Sequence, residues 1–469
     1  MIRRTTALLA LLLASPLVTA GERLPAVSYD TRGASAASLE ALKRQVDAGF
    51  WLETGDALVV VAPPAVHARI GRRAKVDREH GLLSGDELFL LPMGCEVERH
   101  TIPNPIAVVG RHALVRMPPM LARQIADARA VQPDSVLARE HRPAPGAKRA
   151  PDPVIQSVVD RVDPARWFAD LETLAGWNRS SYGSGTGGGG IDLARDWLVA
   201  QFEALGVSTT TPQVAVGASR PNNVIAVRPG TDLAGEWVLV GAHYDSRNPT
   251  NSSAGVANTP GAEDNASGCA GVVEMATVFA AVPTRRTLVF ACYAGEEQGL
   301  LGSIAQAQAQ ALAASGDLSR IKLAVIMDMI GYSGDQDFDV LLESSGTPTQ
   351  LAVLEQFAAL ATDYAPGTRA VIDTNPCCSD HMPWINGGIP ALLTIENDWS
   401  QYVHYHQTSD LPQNITNAQA MGGRILRLNA AGIAVRAEVL AAAQFSDGFE
   451  PQGAAGDATT AAAQAAGDR

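Results

Sequence analysis

The chain has 469 residues, and 46% of them are hydrophobic, which supports a large core and more than one domain. Its formal net charge is −13 and only 18% of its residues are charged, so the composition excludes a basic face for nucleic acid. After the first twenty residues, no apolar stretch is long enough to suggest a membrane-spanning helix.

The first twenty residues have the features of an export signal. Arg3-Arg4 supply a basic start, an apolar run extends from Ala7 to Leu13, and Val18-Thr19-Ala20 offers a small-residue cleavage site. We therefore predict that residues 1–20 are a signal peptide and that the mature protein is soluble and either secreted or periplasmic.

The chain has five cysteines, an odd number for an exported protein. Cys269 lies in a predicted helix and Cys292 in an apolar strand, and this pattern predicts two buried thiols. Cys377 and Cys378 lie in a loop-like segment, where one of them could be bridged to a partner that the sequence does not identify.

Residues 22–140 are predicted to form a separate, small α+β domain. Gly, Pro and Asp bound its apolar runs, and Pro118-Pro119 precede a helical pattern. The expected strands are 58–62, 87–91 and 106–109, and the expected helix is 120–126.

A linker rich in Pro, Ala and basic residues follows at 141–153. Such a linker is compatible with a propeptide before a catalytic domain and with a plain hinge after an accessory domain. We hypothesise that residues 22–140 cover the active site, so that a cut near Lys148-Arg149 raises activity.

From residue 154 to residue 442 strands and helices alternate. This alternation predicts an α/β domain with a mostly parallel central sheet and helices on both faces. The expected strands are 223–227, 237–242, 287–292, 323–327 and 391–395, and the expected helices are 267–281, 300–314, 350–362 and 418–442. Residues 443–469 lack periodicity and are predicted to be a disordered tail.

Residues that bind cations or transfer protons occur at the ends of several of these strands and in adjacent loops. Because the carboxyl ends of parallel strands meet at one edge of a sheet, we expect these residues to form one site. The metal-ligand candidates are His243, Asp264, Glu297, Asp328 and His406.

Two imidazoles and three carboxylates are a ligand set that suits two zinc ions, with one carboxylate bridging them. Two such ions, about 3.5–4 Å apart, can share a hydroxide nucleophile. Of Glu296 and Glu297, only one can be a ligand while the other faces the water as a base. Asp245 lies two residues after His243, on the same face if the strand continues, and is predicted to orient the His243 ring.

Six short motifs contain these candidates and their neighbours: His243-Tyr-Asp245, Glu263-Asp-Asn-Ala-Ser-Gly268, Ala294-Gly-Glu-Glu-Gln-Gly-Leu-Leu-Gly-Ser303, Asp328-Met-Ile-Gly331, Cys378-Ser-Asp-His381 and Tyr405-His406. In these motifs the chain resembles the secreted co-catalytic zinc aminopeptidases, a family of zinc exopeptidase fold that includes the bacterial leucyl aminopeptidases and shares its fold with glutaminyl cyclases. The resemblance covers Val154 to Ala442.

The resemblance implies a role for each of these site residues. His243 and Asp328 would hold one zinc, Glu297 and His406 would hold the other, and Asp264 would bridge the two. Glu296 would be the general base. His404 is an alternative ligand to His406, and Asp380 and His381 are candidates for supporting groups.

The implied activity is hydrolysis of the first bond of peptides with a free N-terminus, by a metal-bridging hydroxide. Alternatives on the same fold are a glutaminyl cyclase-like enzyme, a carboxypeptidase-like enzyme and a non-catalytic binding protein. One departure concerns Thr374-Asn-Pro-Cys377, where many bacterial members have a tyrosine that helps to stabilise the oxyanion. That role is therefore either vacant or filled by a residue from elsewhere in the chain.

Overall fold

The computed structural model of the protein describes residues 22–93, 104–125, 127–143, 150–185, 189–313 and 315–441. The predicted signal peptide, the predicted tail from 443 onward and the Lys148-Arg149 pair lie outside the described residues. Within the described ranges, none of the helices combines the length and the apolar character needed to cross a membrane.

The described part of residues 22–140 contains nine strands and three short helices. The strands are β1 (Leu24–Asp30), β2 (Phe50–Gly55), β3 (Ala57–Val61), β4 (Val76–Leu83), β5 (Leu88–Pro92), β6 (Ala107–Val109), β7 (His112–Arg116), β8 (Arg129–Ala130) and β9 (Ser135–Glu140). The helices are α1 (Ala36–Lys43), α2 (Pro64–Ile70) and α3 (Pro119–Ala122). The three predicted strands are confirmed as β3, β5 and β6, whereas the predicted helix at 120–126 is wrong in length because α3 ends at Ala122.

The remaining described residues contain eight strands and eight helices. The strands are β10 (Ser208–Thr210), β11 (Val224–Arg228), β12 (Leu233–His243), β13 (Arg286–Tyr293), β14 (Ile321–Met327), β15 (Asp339–Glu343), β16 (Arg369–Asp373) and β17 (Ala391–Glu396). The helices are α4 (Pro153–Val159), α5 (Pro164–Ala175), α6 (Gly190–Ala204), α7 (Gly268–Phe279), α8 (Leu301–Ala313), α9 (Pro348–Tyr364), α10 (Met382–Asn386) and α11 (Ala418–Ala437).

The centre of the molecule is the run of adjacent parallel strands β13-β12-β14-β17. Their side chains are buried almost without interruption, as expected for parallel strands covered on both faces. Val240 of β12 pairs with Phe290 on one side and with Val325 on the other. The strands are therefore in register at their carboxyl ends, and the residues that follow them meet at one edge.

Two neighbouring residues of β13 show that helices cover both faces of the sheet. Cys292 is joined by a disulfide to Cys269 of α7, while the Tyr293 hydroxyl donates a hydrogen bond of 2.6 Å to Gln306 of α8. Successive side chains of a strand point to opposite faces, so α7 and α8 lie on opposite sides. The predicted α/β fold is confirmed.

The disulfide corrects the prediction that Cys269 and Cys292 are two buried thiols. Both residues are buried, as predicted, but α7 packs across β13 so that their Cα atoms lie 6.0 Å apart. That separation suits a disulfide. The sequence does not reveal the pairing because it depends on how the helix crosses the strand.

The N-terminal residues are not confined to a sheet of their own. Strand β9 pairs antiparallel with β16, with Ile372 opposite Arg139, and β2, β3, β1 and β4 follow outward in the same sheet. The predicted boundary at 141–153 therefore separates elements of the chain but not sheets. Only β6, β7, β5 and β8 form a second sheet, which is antiparallel.

Candidate active site

His243 is the last residue of β12 and is 1% exposed. Its Nδ1 lies 3.1 Å from the backbone carbonyl oxygen of Asp245 and 3.5 Å from Oδ1 of the Asp245 carboxylate. A carbonyl oxygen can only accept, so this contact places the ring proton on Nδ1 and leaves Nε2 available to bind a cation.

Asp245 does lie against His243, but the strand reasoning that predicted it was wrong. Strand β12 ends at His243, so the two side chains are not brought together by strand alternation. The Asp245 carboxylate instead accepts hydrogen bonds from the Ser181 hydroxyl at 3.0 Å and from the Glu296 backbone N–H at 3.2 Å. Asp245 thereby ties the end of β12 to the loop that follows β13.

Three carboxylates surround the free nitrogen of His243. Its Nε2 lies 3.3 Å from Oδ1 of Asp264, 3.5 Å from Oδ1 of Asp328 and 4.0 Å from Oε2 of Glu296. Asp328 follows β14 and Glu296 follows β13, so the parallel strands bring these groups together as the sequence predicted.

A second group of side chains lies on the other side of Asp264. His406 Nε2 is 3.0 Å from Oδ2 of Asp264 and 3.4 Å from Oε2 of Glu297. The two oxygens of Asp264 thus face two different imidazoles. His404, the alternative ligand, is turned away: its Nδ1 lies 2.8 Å from the Ser409 hydroxyl.

The spacing of these atoms fits two zinc ions. Donor atoms bound to one tetrahedral zinc at about 2.0–2.1 Å lie about 3.3 Å apart, and the distances of 3.0–3.5 Å are close to that value. The donor atoms form two groups within 4.8 Å: His243, Glu296 and Asp328 in the first, and Asp264, Glu297 and His406 in the second. The first group also shows that distance alone does not exclude Glu296 as a ligand.

The electrostatics of the site favour bound cations. Burial alone would lower the pKa of His243, but the Glu296, Asp245 and Asp264 carboxylates raise this pKa well above its ordinary value. Burial and the neighbouring Asp264 raise the pKa of Glu297. Burial also disfavours the charged form of Asp264, yet hydrogen bonds to His243 and His406 hold its pKa low. Buried carboxylates crowded in this way are stabilised by metal ions.

Asp264 is held through its backbone. The Asp410 carboxylate accepts hydrogen bonds from the N–H groups of Glu263 at 2.9 Å and of Asp264 at 3.0 Å, and it also accepts one from the Tyr402 hydroxyl at 2.6 Å. Asp410 is not among the predicted site residues. Its only signal in the sequence is that it is an acidic residue shortly after Tyr405-His406.

Asp328 is held by two side chains that are not among the predicted site residues. Its Oδ2 accepts hydrogen bonds from the Ser379 hydroxyl at 2.8 Å and from Nη1 of Arg111 at 3.3 Å. Ser379 belongs to the motif Cys378-Ser-Asp-His381. Arg111 lies far outside the region of the family resemblance, and no sequence pattern marks it as a site residue. Both contacts leave Oδ1 directed toward His243.

Asp380 and His381 are both fully buried near the site. His381 Nε2 lies 3.1 Å from Glu343 Oε1 and belongs to neither ligand group. Burial raises the pKa of Asp380 to about 7. Their supporting role stays a prediction.

The two ligand groups line a cavity of about 290 Å³, together with Arg111, Asn251, Gln298, Gly299, Cys378 and Tyr405. The cavity is polar, and Tyr405 stacks on the His406 ring with 3.8 Å between ring centroids. The candidate ligands are therefore accessible to a small molecule or to the end of a chain.

Residues 223–427 match the sequence profile of Peptidase family M28. The chain is 29% identical over 271 residues to a probable leucine aminopeptidase of Trichophyton verrucosum, covering 55% of this chain and 69% of that protein. It is also 32% identical over 202 residues to a probable zinc metalloprotease of Pyricularia oryzae, covering 40% of each chain. The match with the latter thus spans less than half of that relative's length.

Two solved structures share the fold. The Legionella pneumophila LapA aminopeptidase superposes with a TM-score of 0.51 at 18% identity, over 89% of this chain and 100% of that chain. A glutaminyl cyclase from Macrostomum lignano superposes with a TM-score of 0.50 at 17% identity, over 63% and 96%. Residues 154–469 make up less than 89% of this chain, so the superposition with the LapA aminopeptidase must include residues before 154. The shared fold therefore extends into the N-terminal residues. Residues 223–427, in which zinc-ligand types are gathered at the ends of parallel strands, are therefore a Peptidase family M28 domain within this chain.

Proposed function

We propose that this protein is a secreted or periplasmic two-zinc aminopeptidase that removes the first residue of peptides with a free N-terminus. The observation that carries the proposal is Asp264, whose two oxygens face His243 and His406 from between the two ligand groups. A carboxylate in that position suits a bridge between two ions, and the match of residues 223–427 to Peptidase family M28 supports peptide hydrolysis.

Each zinc would have its own protein ligands and share Asp264. His243 and Asp328 would hold one ion, and Glu297 and His406 would hold the other. Bound zinc would polarise the scissile carbonyl group and lower the pKa of a water molecule. The remaining steps depend on the side chains of the protein.

We assign the proton transfer to Glu296. It lines the cavity, and its Oε2 lies 4.0 Å from His243 Nε2, which is farther than the oxygens of Asp264 and Asp328. Hydrogen bonding of its backbone N–H to Asp245 fixes the start of the loop that carries it. Glu296 would take a proton from the attacking water and deliver it to the leaving amine.

The size of the cavity is compatible with an exopeptidase. Its volume of about 290 Å³ accommodates the end of a peptide.

The test is a substrate panel on the purified, zinc-loaded protein. We expect release of free N-terminal residues from aminoacyl chromogenic substrates and peptides, no reaction with N-acetylated controls, and about two zinc ions per chain. Loss of ammonia from N-terminal glutamine would indicate a cyclase, and release of C-terminal residues would indicate a carboxypeptidase. Full activity without a bound transition metal would contradict the proposal.

A matched pair of histidine variants tests the ligand assignment. His406→Ala should reduce zinc content and abolish activity because its ring faces Asp264 and Glu297. His404→Ala should keep both, since His404 bonds Ser409 instead. The reverse result would move the ligand role to His404.

A further inference from the structure

The N-terminal segment places one side chain inside the candidate active site. Strands β6 and β7 form a hairpin in which Val109 pairs with His112, so Gly110 and Arg111 are its two-residue tip. Gly110 has a φ of +53°, and a Cβ there would lie only 1.8 Å from Asp373 Oδ2. Glycine thus lets the tip approach the end of β16, and Arg111 reaches the cavity.

The guanidinium of Arg111 has donors to spare. Arg111 is 2% exposed. Within the described part of the chain, its guanidinium donates one hydrogen bond, from Nη1 to Asp328 Oδ2. Its Nε is buried and has no hydrogen-bond partner within the described part of the chain. A guanidinium has five N–H donors in a planar fork, so most of them remain to bind an oxygen atom.

Arg111 also differs in charge from the other cavity residues. It is the only arginine or lysine among the described residues that line the cavity, opposite four carboxylates. It contacts Asp328 beside one ligand group, and its guanidinium carbon lies 5.5 Å from the centre of the Trp399 ring. Trp399 in turn packs edge-on against Tyr405, which stacks on His406 of the other ligand group. The cation therefore lies close to both halves of the site.

Two features indicate that Arg111 belongs to the working site and does not block it. The cavity of about 290 Å³ remains beside the guanidinium, which forms part of its wall. The segment that carries Arg111 is joined to the catalytic sheet through β9 and β16, and Leu52 and Ala138 share one core with Val371. Its departure would expose a sheet edge and buried apolar side chains.

We propose that Arg111 is a catalytic residue that binds the oxygen of the scissile carbonyl group as this oxygen becomes negative. The inference rests on the proposed peptidase function. In the step concerned, the water oxygen bonds to the carbonyl carbon, the π electrons of the carbonyl group move to its oxygen, and Glu296 receives a proton from the water. When the C–N bond breaks, the electron pair on the carbonyl oxygen re-forms the C=O bond. The amine leaves with the electrons of the C–N bond and takes the proton from Glu296. A fixed cation at the oxygen stabilises this charge in a site with little water.

The experiment compares Arg111→Gln with the matched control Arg116→Gln. Arg116 lies on the same hairpin, but it is exposed, pairs with the half-buried Glu87 and does not line the cavity. For Arg111→Gln we expect kcat to fall by about 100-fold, with KM and zinc content unchanged, which is the cost of losing one oxyanion donor. A phosphonate peptide analogue, whose tetrahedral anion resembles the charged intermediate, should bind more weakly by a similar factor in calorimetry. Arg116→Gln should match the wild type in every measurement.

A second variant keeps the test decisive if Arg111→Gln does not fold. Arg111→Lys retains the charge but cannot bond Asp328 and a substrate oxygen with one planar fork, so we expect a kcat roughly 10-fold below wild type with zinc retained. A wild-type kcat in both variants, or in Arg111→Lys if only that variant folds, would overturn the inference. A kcat above that of wild type would also overturn the inference, because it would make the hairpin an inhibitory cover. A fall in kcat that follows the loss of zinc would overturn it as well, because Arg111 would then act only through Asp328. A wild type that cleaves no aminoacyl substrate would instead overturn the proposed function.

Discussion

Glu296 and Glu297 are neighbours in the chain, yet their carboxylates face different histidines. Glu297 Oε2 lies 3.4 Å from His406 Nε2, whereas Glu296 Oε2 lies 4.0 Å from His243 Nε2. The loop after β13 turns between them, so one carboxylate can bind a metal while the other stays available for proton transfer. This division underlies the most direct prediction at the residue scale.

Glu296→Gln should lower kcat by about 10²–10⁴-fold while zinc content and thermal stability stay at wild-type values, because the amide keeps the size of the side chain but cannot take a proton. Steady-state kinetics and metal analysis of the same preparation measure this. Glu297→Gln is the matched control and should lose zinc as well as activity. If Glu296→Gln loses zinc and Glu297→Gln does not, the two roles must be exchanged.

At the scale of elements, helix α7 is fixed at its N-terminal end by two links. Its first turn follows Asp264, whose backbone is held by Asp410, and its Cys269 is bonded to Cys292 of β13. The disulfide therefore links the helix after the bridging carboxylate to the strand before the glutamate pair. Removal of the disulfide should therefore lower the stability of the protein without changing any of the candidate metal ligands.

The double variant Cys269→Ala, Cys292→Ala should be less stable than wild type by about 3 kcal/mol, the loop-entropy value for a link across 23 residues. Urea unfolding curves of the variant and of wild type measure the difference. Because both sulfurs are buried, wild type should fall to the same stability only when reductant is present during unfolding. A reductant-insensitive wild type that unfolds with the variant would show that the bond does not form.

At the scale of the whole molecule, residues 22–140 and residues 154–442 both contribute strands to one thirteen-stranded sheet. Arg369 of β16 crosses the joint, with its Nη1 at 2.7 Å from Asp56 Oδ1 and its Nη2 at 2.6 Å from Asp339 Oδ2. The hypothesis of an inhibitory N-terminal segment predicts that a cut at Lys148-Arg149 raises activity. The shared sheet favours the opposite result.

We expect the chain cut in the linker to stay together and remain active, and residues 150–469 alone to aggregate. Without residues 22–140, β16 becomes an unpaired edge strand, and the apolar side chain of Val371 in that strand becomes exposed. Size-exclusion chromatography and activity of both forms, at equal zinc occupancy, test this. A monomeric 150–469 fragment more active than the full chain would restore the inhibitory interpretation.

The sequence by itself determined the features that are local in the chain. The apolar runs of β12, β13 and β14 and the charged residues that end them are adjacent in sequence, so strand, helix and ligand type could be predicted together. His406 could be selected but not separated from His404 by the residues alone, since both lie in one loop.

Only the tertiary structure decided the features that depend on contacts between distant residues. Strands β9 and β16 are short and weakly patterned, and they become strands because each supplies hydrogen-bond partners to the other across more than two hundred residues. The Cys269–Cys292 pairing depends on where α7 crosses β13, and the place of Arg111 depends on a glycine turn that fits against Asp373. Such contacts leave no local pattern in the sequence, because the chain brings the partners together only when the sheet is assembled.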